Sequence, residues 1–381
     1  IVETVETGVG FNIADEFYKT WKLTPAVEAL LLKYKEDFEI VDRAIELPYS
    51  QGPLLKSPGD RIPNYVSLRN LAALRLALAR LDCEKGNIDK ALKTVKDMME
   101  MGRIMEMKEG GSTLIGIMIS VAARGLALET LNWMLSNGYI PSNDLVELNR
   151  FLTKHRFNSE AFKNAWKVEY TVFSTIISDI GRQRHEVNYD IGSDEWFGFV
   201  GRAMSNNFIR SLIFKRNLAR KMIYDHYEGY VENSDKPFSE MKFEEIPIMP
   251  ESLLSTLTML LKGEYGARVI AQIAIPNYTR SFGRTCYYEF ILEGTRLRLA
   301  AFAYKHDHGA LPRTLQELVP NYIDNIPIDS FDGNPIRYNP AKKVIYSVGT
   351  NLTDENGTAN EFVFTGKGLM DLEKDIVIKI E

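Results

Sequence analysis

Residues 326–357 read IPIDSFDGNPIRYNPAKKVIYSVGTNLTDENG. Pro327 restricts the backbone on the way in, and Asp332-Gly333-Asn334-Pro335 has the composition of a tight reversal. Asp and Asn side chains bond their own backbone, Gly supplies a left-handed conformation, and Pro cannot continue a ladder. Two short β-branched or aromatic runs follow, Ile336 to Tyr338 and Val344 to Val348, with Asn339-Pro340-Ala341-Lys342 as the loop between them. Similar runs at Glu361 to Phe364 and Ile376 to Ile380 extend the expectation to a small antiparallel sheet. Upstream, an apolar pattern from about Asn277 to His306 predicts a long helix, with Gly309 at the place of a left-handed C-terminal cap. Thr314-Leu315-Gln316-Glu317 is a capping-box pattern for a short helix running through Val319. Residues 277–381 therefore read as a long helix closed by an α+β module.

The preceding residues, 1–276, read as a mainly helical domain. Thr24 to Ala44 carries Val27, Leu30, Leu31, Tyr34, Phe38 and Val41 in helical rhythm. The stretch LPYSQGPLLKSPGDRIPNY, with four prolines and two glycines, is a long irregular connection. From Ser67 to Met107 two helical patterns meet at Gly86-Asn87, which makes a helical hairpin, and helices at Thr113 to Asn137 and Ser142 to His155 extend it. Residues 159–230 continue in mainly helical patterning, broken near NYDIGSDEWFG, and Leu253 to Ile275 reads as a further helix. The segment LARLDCEKGNIDKALKTV resembles a tetratricopeptide-type repeat, in which small residues such as Ala79 and Ala91 let two helices approach closely. The fold class expected is thus mainly α: a TPR-like helical-hairpin body, then a long helix and a small antiparallel sheet.

The order of features from Thr295 to Gly357 resembles the globular domain of the major pseudopilins of type II secretion and related type IV pilin-like proteins. The residues that carry it are the helix end Tyr304 to Gly309, Leu311-Pro312, the turn pattern Pro327, Asp329, Phe331, Gly333 and Pro335, then Tyr338 and Tyr346-Ser347-Val348-Gly349. It spans roughly residues 293–365. The chain departs from that family in placing nearly 300 mainly helical residues where a pseudopilin has a membrane helix, so assembly into a pseudopilus is not expected. The resemblance implies an α+β tail of pseudopilin type on a bacterial cell-envelope protein, periplasmic or on the outer surface. It also implies Ca2+ in the loop after the strand, with Val348 through its carbonyl and Asn351, Asp354, Glu355 and Asn356 as the matching positions. Asn351 stands where the family often has Asp, which lowers the charge offered to the metal.

Composition narrows the function classes. The 381 residues are 45% hydrophobic and 25% charged with a net charge of -5, which argues for a globular chain and against a general phosphate-neutralising surface for nucleic acid. The apolar run Leu114 to Ala123, closed by Arg124, falls short of the roughly 18 residues of a membrane span, so no transmembrane segment is expected. A start at Ile1 rather than Met leaves room for an upstream signal or anchor. Cys83 and Cys286 form no Cys-x-x-Cys and suggest neither a disulfide framework nor zinc.

No Walker loop, Gly-x-Ser-x-Gly or His-Glu-x-x-His occurs. The acid/base group that could serve an enzyme, in a groove between body and tail, is Arg182, His185, Glu186 and Asp190. Arg210, Lys215, Arg216 and Arg220, interleaved with Phe208, Leu212, Phe214, Leu218 and Met222, form a basic amphipathic stretch suited to an acidic partner or a membrane surface. The leading expectation is a non-catalytic envelope protein with a helical binding surface for a protein or peptide. The alternatives are an enzyme and a membrane-surface protein.

Overall fold

The structure, a computed structural model, describes residues 24–47, 65–106, 113–182, 215–243, a few positions between 258 and 271, 279–358 and 374–380. Over these residues it is mainly helical, with a small three-stranded antiparallel sheet near the C-terminus.

The first expected helix is two: α1 (Pro25–Lys33) and α2 (Lys35–Ile45) meet at Tyr34. Thr24 caps α1 by accepting the Val27 N–H at 3.3 Å, with Pro25 at the first helical position, where its missing N–H costs nothing. α3 (Tyr65–Glu84) and α4 (Ile88–Glu106) form the expected hairpin. Its turn is a Schellman motif: Gly86, at φ +81, donates to the Cys83 carbonyl at 3.0 Å, and Asn87 donates to that of Asp82 at 2.8 Å. Ala79 and Ala91 are both fully buried, as close helix approach requires.

α5 (Leu114–Ser136) starts at Thr113, whose hydroxyl accepts the Gly116 N–H at 3.2 Å, and ends in a second Schellman turn at Gly138. It is long and apolar enough to cross a membrane by length and composition, because Arg124 and Glu129 are the only charged residues along it. However, 67% of its apolar window is buried inside the fold, where α5 packs on α3 and α4. Ser142 opens a 3-10 turn (Ser142–Asp144) rather than capping a helix, and α6 (Leu145–Thr153) follows without a side-chain cap. α7 (Ser159–Arg182) is capped by Asn158, which accepts the Ala161 N–H at 3.1 Å. α8 (Arg216–Asn233) packs along α7, and Trp166 with Phe162, Tyr230 and Phe282 makes an aromatic knot between them and the last helix. The expected helix at Leu253 to Ile275 lies largely outside the described residues.

That last helix, α9 (Thr279–His308), is the axis of the molecule. It packs against α5 and α6 on one side and the sheet on the other, and it stops at Gly309 (φ +76), whose N–H reaches the Lys305 carbonyl at 2.8 Å. The capping box after it forms by half: Glu317 accepts the Thr314 N–H, but the Thr314 side chain caps nothing, and the segment is a 3-10 turn (Leu315–Leu318). β1 (Arg337–Asn339), β2 (Val344–Ser347) and β3 (Ile376–Lys379) pair in that order, with Asn339 opposite Val344 and Ser347 opposite Ile376. The strand expected at Glu361 to Phe364 lies outside the described residues. β2 and β3 lie on α9 at Gly294, where a Cβ would come within 2.5 Å of Ile378 Cδ1. The apolar core is continuous from Val27 of α1 through α9 to Ile380.

Candidate functional site

The reversal that opens the β-module is organised by one carboxylate. Asp329 is 0% exposed and accepts the Phe331 N–H at 3.0 Å, the Ser347 hydroxyl at 2.9 Å and the Val348 N–H at 3.2 Å. Burial pushes its carboxyl up, and these three donors pull the other way. Gly333, at φ +77, lets the chain turn so that Asp329 N–H meets the Asn334 carbonyl at 2.7 Å and Ile336 N–H that of Pro327 at 2.9 Å. Phe331, also 0% exposed, carries the turn into the helical body, where the Phe238 and Ser239 N–H groups bond the Ser330 and Phe331 carbonyls at 2.9 and 2.8 Å.

The loop beyond β2 holds the residues expected to meet a metal. Val348 is buried. Asn351 accepts the Thr353 N–H at 2.9 Å and donates to Glu355 at 2.8 Å. Asp354 accepts the Asn356 N–H at 2.8 Å and pairs with Arg337 at 3.2 Å, and the Asn356 side chain accepts from Asn339 at 3.0 Å. Glu355 accepts the Asp375 N–H at 3.2 Å, and Asp375 in turn accepts the Gly357 N–H at 2.7 Å. Gly357 is required here, because a Cβ would lie 2.7 Å from Val344 Cγ2. Burial, and then the neighbouring Glu355, push the Asp375 carboxyl up to about 6, and its Oδ1 is buried without a hydrogen-bond donor. Among the described residues no three carboxylate, His or Cys side chains converge as a metal site, and the Glu355 and Asp375 carboxyls, with that orphaned oxygen, are the acidic pair this loop brings together. Asn351 and Asp354 are committed to Thr353 and Arg337. Asp375 escaped the sequence reading because it lies 20 residues from Glu355, just before β3, and only strand pairing brings the two together.

A second polar cluster lies where the α6–α7 turn meets α4, α5 and α9. Arg124 of α5 is fully buried against Glu106, with its guanidinium 4.5 Å from the Tyr288 ring. The His155 carbonyl accepts from Arg124 at 3.2 Å and from the Tyr288 hydroxyl at 2.5 Å. The next links along the turn are Arg156 to Glu293 at 2.7 Å and the Phe157 N–H to Glu289. Arg296 joins Glu293 at 2.6 Å and Asn149 at 3.1 Å. No sequence motif marks this cluster. Its residues come from four elements and meet only through packing.

Of the acid/base group, Arg182 is the last residue of α7, and His185, Glu186 and Asp190 lie outside the described residues, as does Arg210. Lys215 and Arg216 are exposed at the start of α8, whereas Arg220 turns inward to the Ser178 hydroxyl. The exposed His306 and His308 do not converge: one bonds Asp307 and the other stacks on Tyr304 at 4.1 Å.

No family model matches the chain, and neither a curated protein nor a solved structure does.

Proposed function

We propose that this chain is a non-catalytic bacterial cell-envelope protein. Its TPR-like helical hairpins would offer a binding surface for a protein or peptide, and its α+β tail of pseudopilin type would close the long helix. The observation that carries this reading is the enclosure of α9. From Thr285 to Ala301 nearly every side chain is buried by the chain's own helices and sheet. Over that span the helix has no free face with which to polymerise, which supports a capped scaffold over a filament subunit. Cell fractionation with protease accessibility on intact cells, using the gene as its host carries it, tests the placement. Recovery in an extracytoplasmic fraction is expected, and confinement to the cytosol would overturn it.

Calcium in the 350–358 loop belongs to the same reading, with Glu355 and Asp375 as the carboxylates that would hold it. Calorimetric titration with calcium is expected to show binding that raises the melting temperature and is lost in Asp375→Asn. Binding that survives in Asp375→Asn, or none in the wild type, would remove calcium from the proposal.

A further inference from the structure

The dipeptide Asn-Gly occurs at Asn137-Gly138 and at Asn356-Gly357. In each pair the glycine backbone nitrogen lies next to a side-chain amide carbon that it can attack, closing a five-membered succinimide ring. Proximity favours that attack, and glycine puts no side chain in its way. The surroundings of the two pairs differ in what they offer the reaction.

At the end of α5 the Gly138 N–H donates to the Leu135 carbonyl at 3.3 Å, and the Asn137 amide nitrogen donates to that of Trp133 at 2.8 Å. Both acceptors are neutral helix-end carbonyls, which hold the pair in the cap and are too weakly basic to take up its proton. The pair beyond β2 meets charged and polar groups instead. The Gly357 N–H donates to the Asp375 carboxylate at 2.7 Å, and the Asn356 side-chain oxygen accepts from Asn339 Nδ2 at 3.0 Å. The carbonyl of the peptide bond joining Asn356 to Gly357 accepts from Lys342 Nζ at 2.9 Å. Each contact favours attack. The carboxylate can receive the departing proton, the ammonium polarises the peptide and makes its N–H more acidic, and the Asn339 amide faces the oxygen on which negative charge develops. Asn356 is exposed, so water reaches the product.

We propose that Asn356-Gly357 is a self-modifying site, at which the folded loop promotes succinimide closure between the Asn356 side chain and the Gly357 nitrogen. The Gly357 N–H proton passes to the Asp375 carboxylate and the bond from that nitrogen to Asn356 Cγ forms. The Cγ–Nδ2 bond then breaks, and ammonia leaves with the proton that Asp375 returns. Water opens the ring at either carbonyl, leaving aspartate or isoaspartate at position 356. Either product adds a negative charge to a loop that already carries Asp354, Glu355 and Asp375. Isoaspartate also lengthens the main chain inside the Asn339–Asn356 contact that ties the loop to β1.

The test is peptide mapping by mass spectrometry of the full chain aged at about 37 °C and neutral pH, following the peptides that carry Asn137 and Asn356. A chelator is present throughout, so the outcome does not depend on whether the loop takes calcium. Conversion of Asn356 to acid is expected to run at least about tenfold faster in the folded chain than in the chain unfolded in guanidinium, whereas Asn137 should convert more slowly folded than unfolded. Asp375→Asn keeps an acceptor for the Gly357 N–H but removes the base, and should slow conversion at Asn356 about tenfold while leaving Asn137 unchanged. Lys342→Met alters an exposed side chain and should slow Asn356 in the same direction, which keeps a variant in hand if Asp375→Asn does not fold. Conversion at Asn356 no faster folded than unfolded, or indifferent to both substitutions, would overturn the proposal.

Discussion

Replacing Asp329 by alanine should unfasten the β-module. The side chain is 0% exposed and accepts from two backbone N–H groups and one hydroxyl, at 3.0, 3.2 and 2.9 Å. Removing it strands these three donors in a buried site, at about 1–3 kcal/mol for each orphaned group, while Arg337, 3.5 Å away, keeps Asp332 and Asp354. The penalties share one site and do not add in full, Ser347 can rotate toward another acceptor, and the desolvation of a buried carboxyl is relieved. We therefore expect a net loss of about 3–5 kcal/mol for Asp329→Ala. Asp329→Asn keeps one oxygen but turns an amide N–H toward one of the donors, for a loss of about 1–3 kcal/mol. Urea unfolding of the full chain measures both, and hydrogen exchange at Phe331 and Val348 locates the damage. Since the core runs unbroken from α1 to β3, the loss should appear in the main transition. A change below about 1 kcal/mol in the alanine variant, or an asparagine variant as damaged as the alanine one, would refute the hub role of this carboxylate.

Two further outcomes follow from the helical body. Arg124→Met leaves Glu106 buried without its partner and should cost about 3–5 kcal/mol, whereas Arg124→Met with Glu106→Leu should recover most of it. A urea double-mutant cycle measures the coupling, and additive losses would contradict it. Glu129 of α5, near Arg80, is pushed up to about 8 by burial, with the Arg80 charge opposing the shift. A carboxyl whose folded value lies above its unfolded one contributes stability that is complete below about pH 4.5 and lost as pH rises through 8. Wild-type stability should therefore carry a falling component between pH 5 and 8 that Glu129→Gln removes, and an unchanged slope in the variant would count against this burial.

Much of the candidate chemistry was not legible beforehand, for reasons that differ by residue. Asp354 was readable as acidic and loop-borne, but its commitment to Arg337 depends on where β1 lies beside the loop. Asp375 drew no attention because its partner Glu355 is distant along the chain. The polar cluster at the α6–α7 turn is harder still, since Glu106, Arg124, His155 and Glu289 each look like ordinary helix-surface residues. Nothing in a 3.6-residue rhythm tells a buried arginine from a solvated one.

What the sequence determined by itself was local. Gly86, Gly309 and Gly333 take the left-handed backbone, which costs glycine least, so the hairpin turn, the end of the long helix and the chain reversal could be placed in advance. Apolar periodicity likewise placed α3, α4, α5 and α9 and the change to strands after Pro335. Tertiary structure alone decided that α5, apolar enough for a membrane, is a core helix, and that α9 is enclosed although it carries Glu293, Arg296 and Arg298. The physical reason is that backbone conformation is set by neighbours in sequence. Burial of a charge is tolerated only when partners from distant segments arrive to bond it, and only the folded chain brings them there.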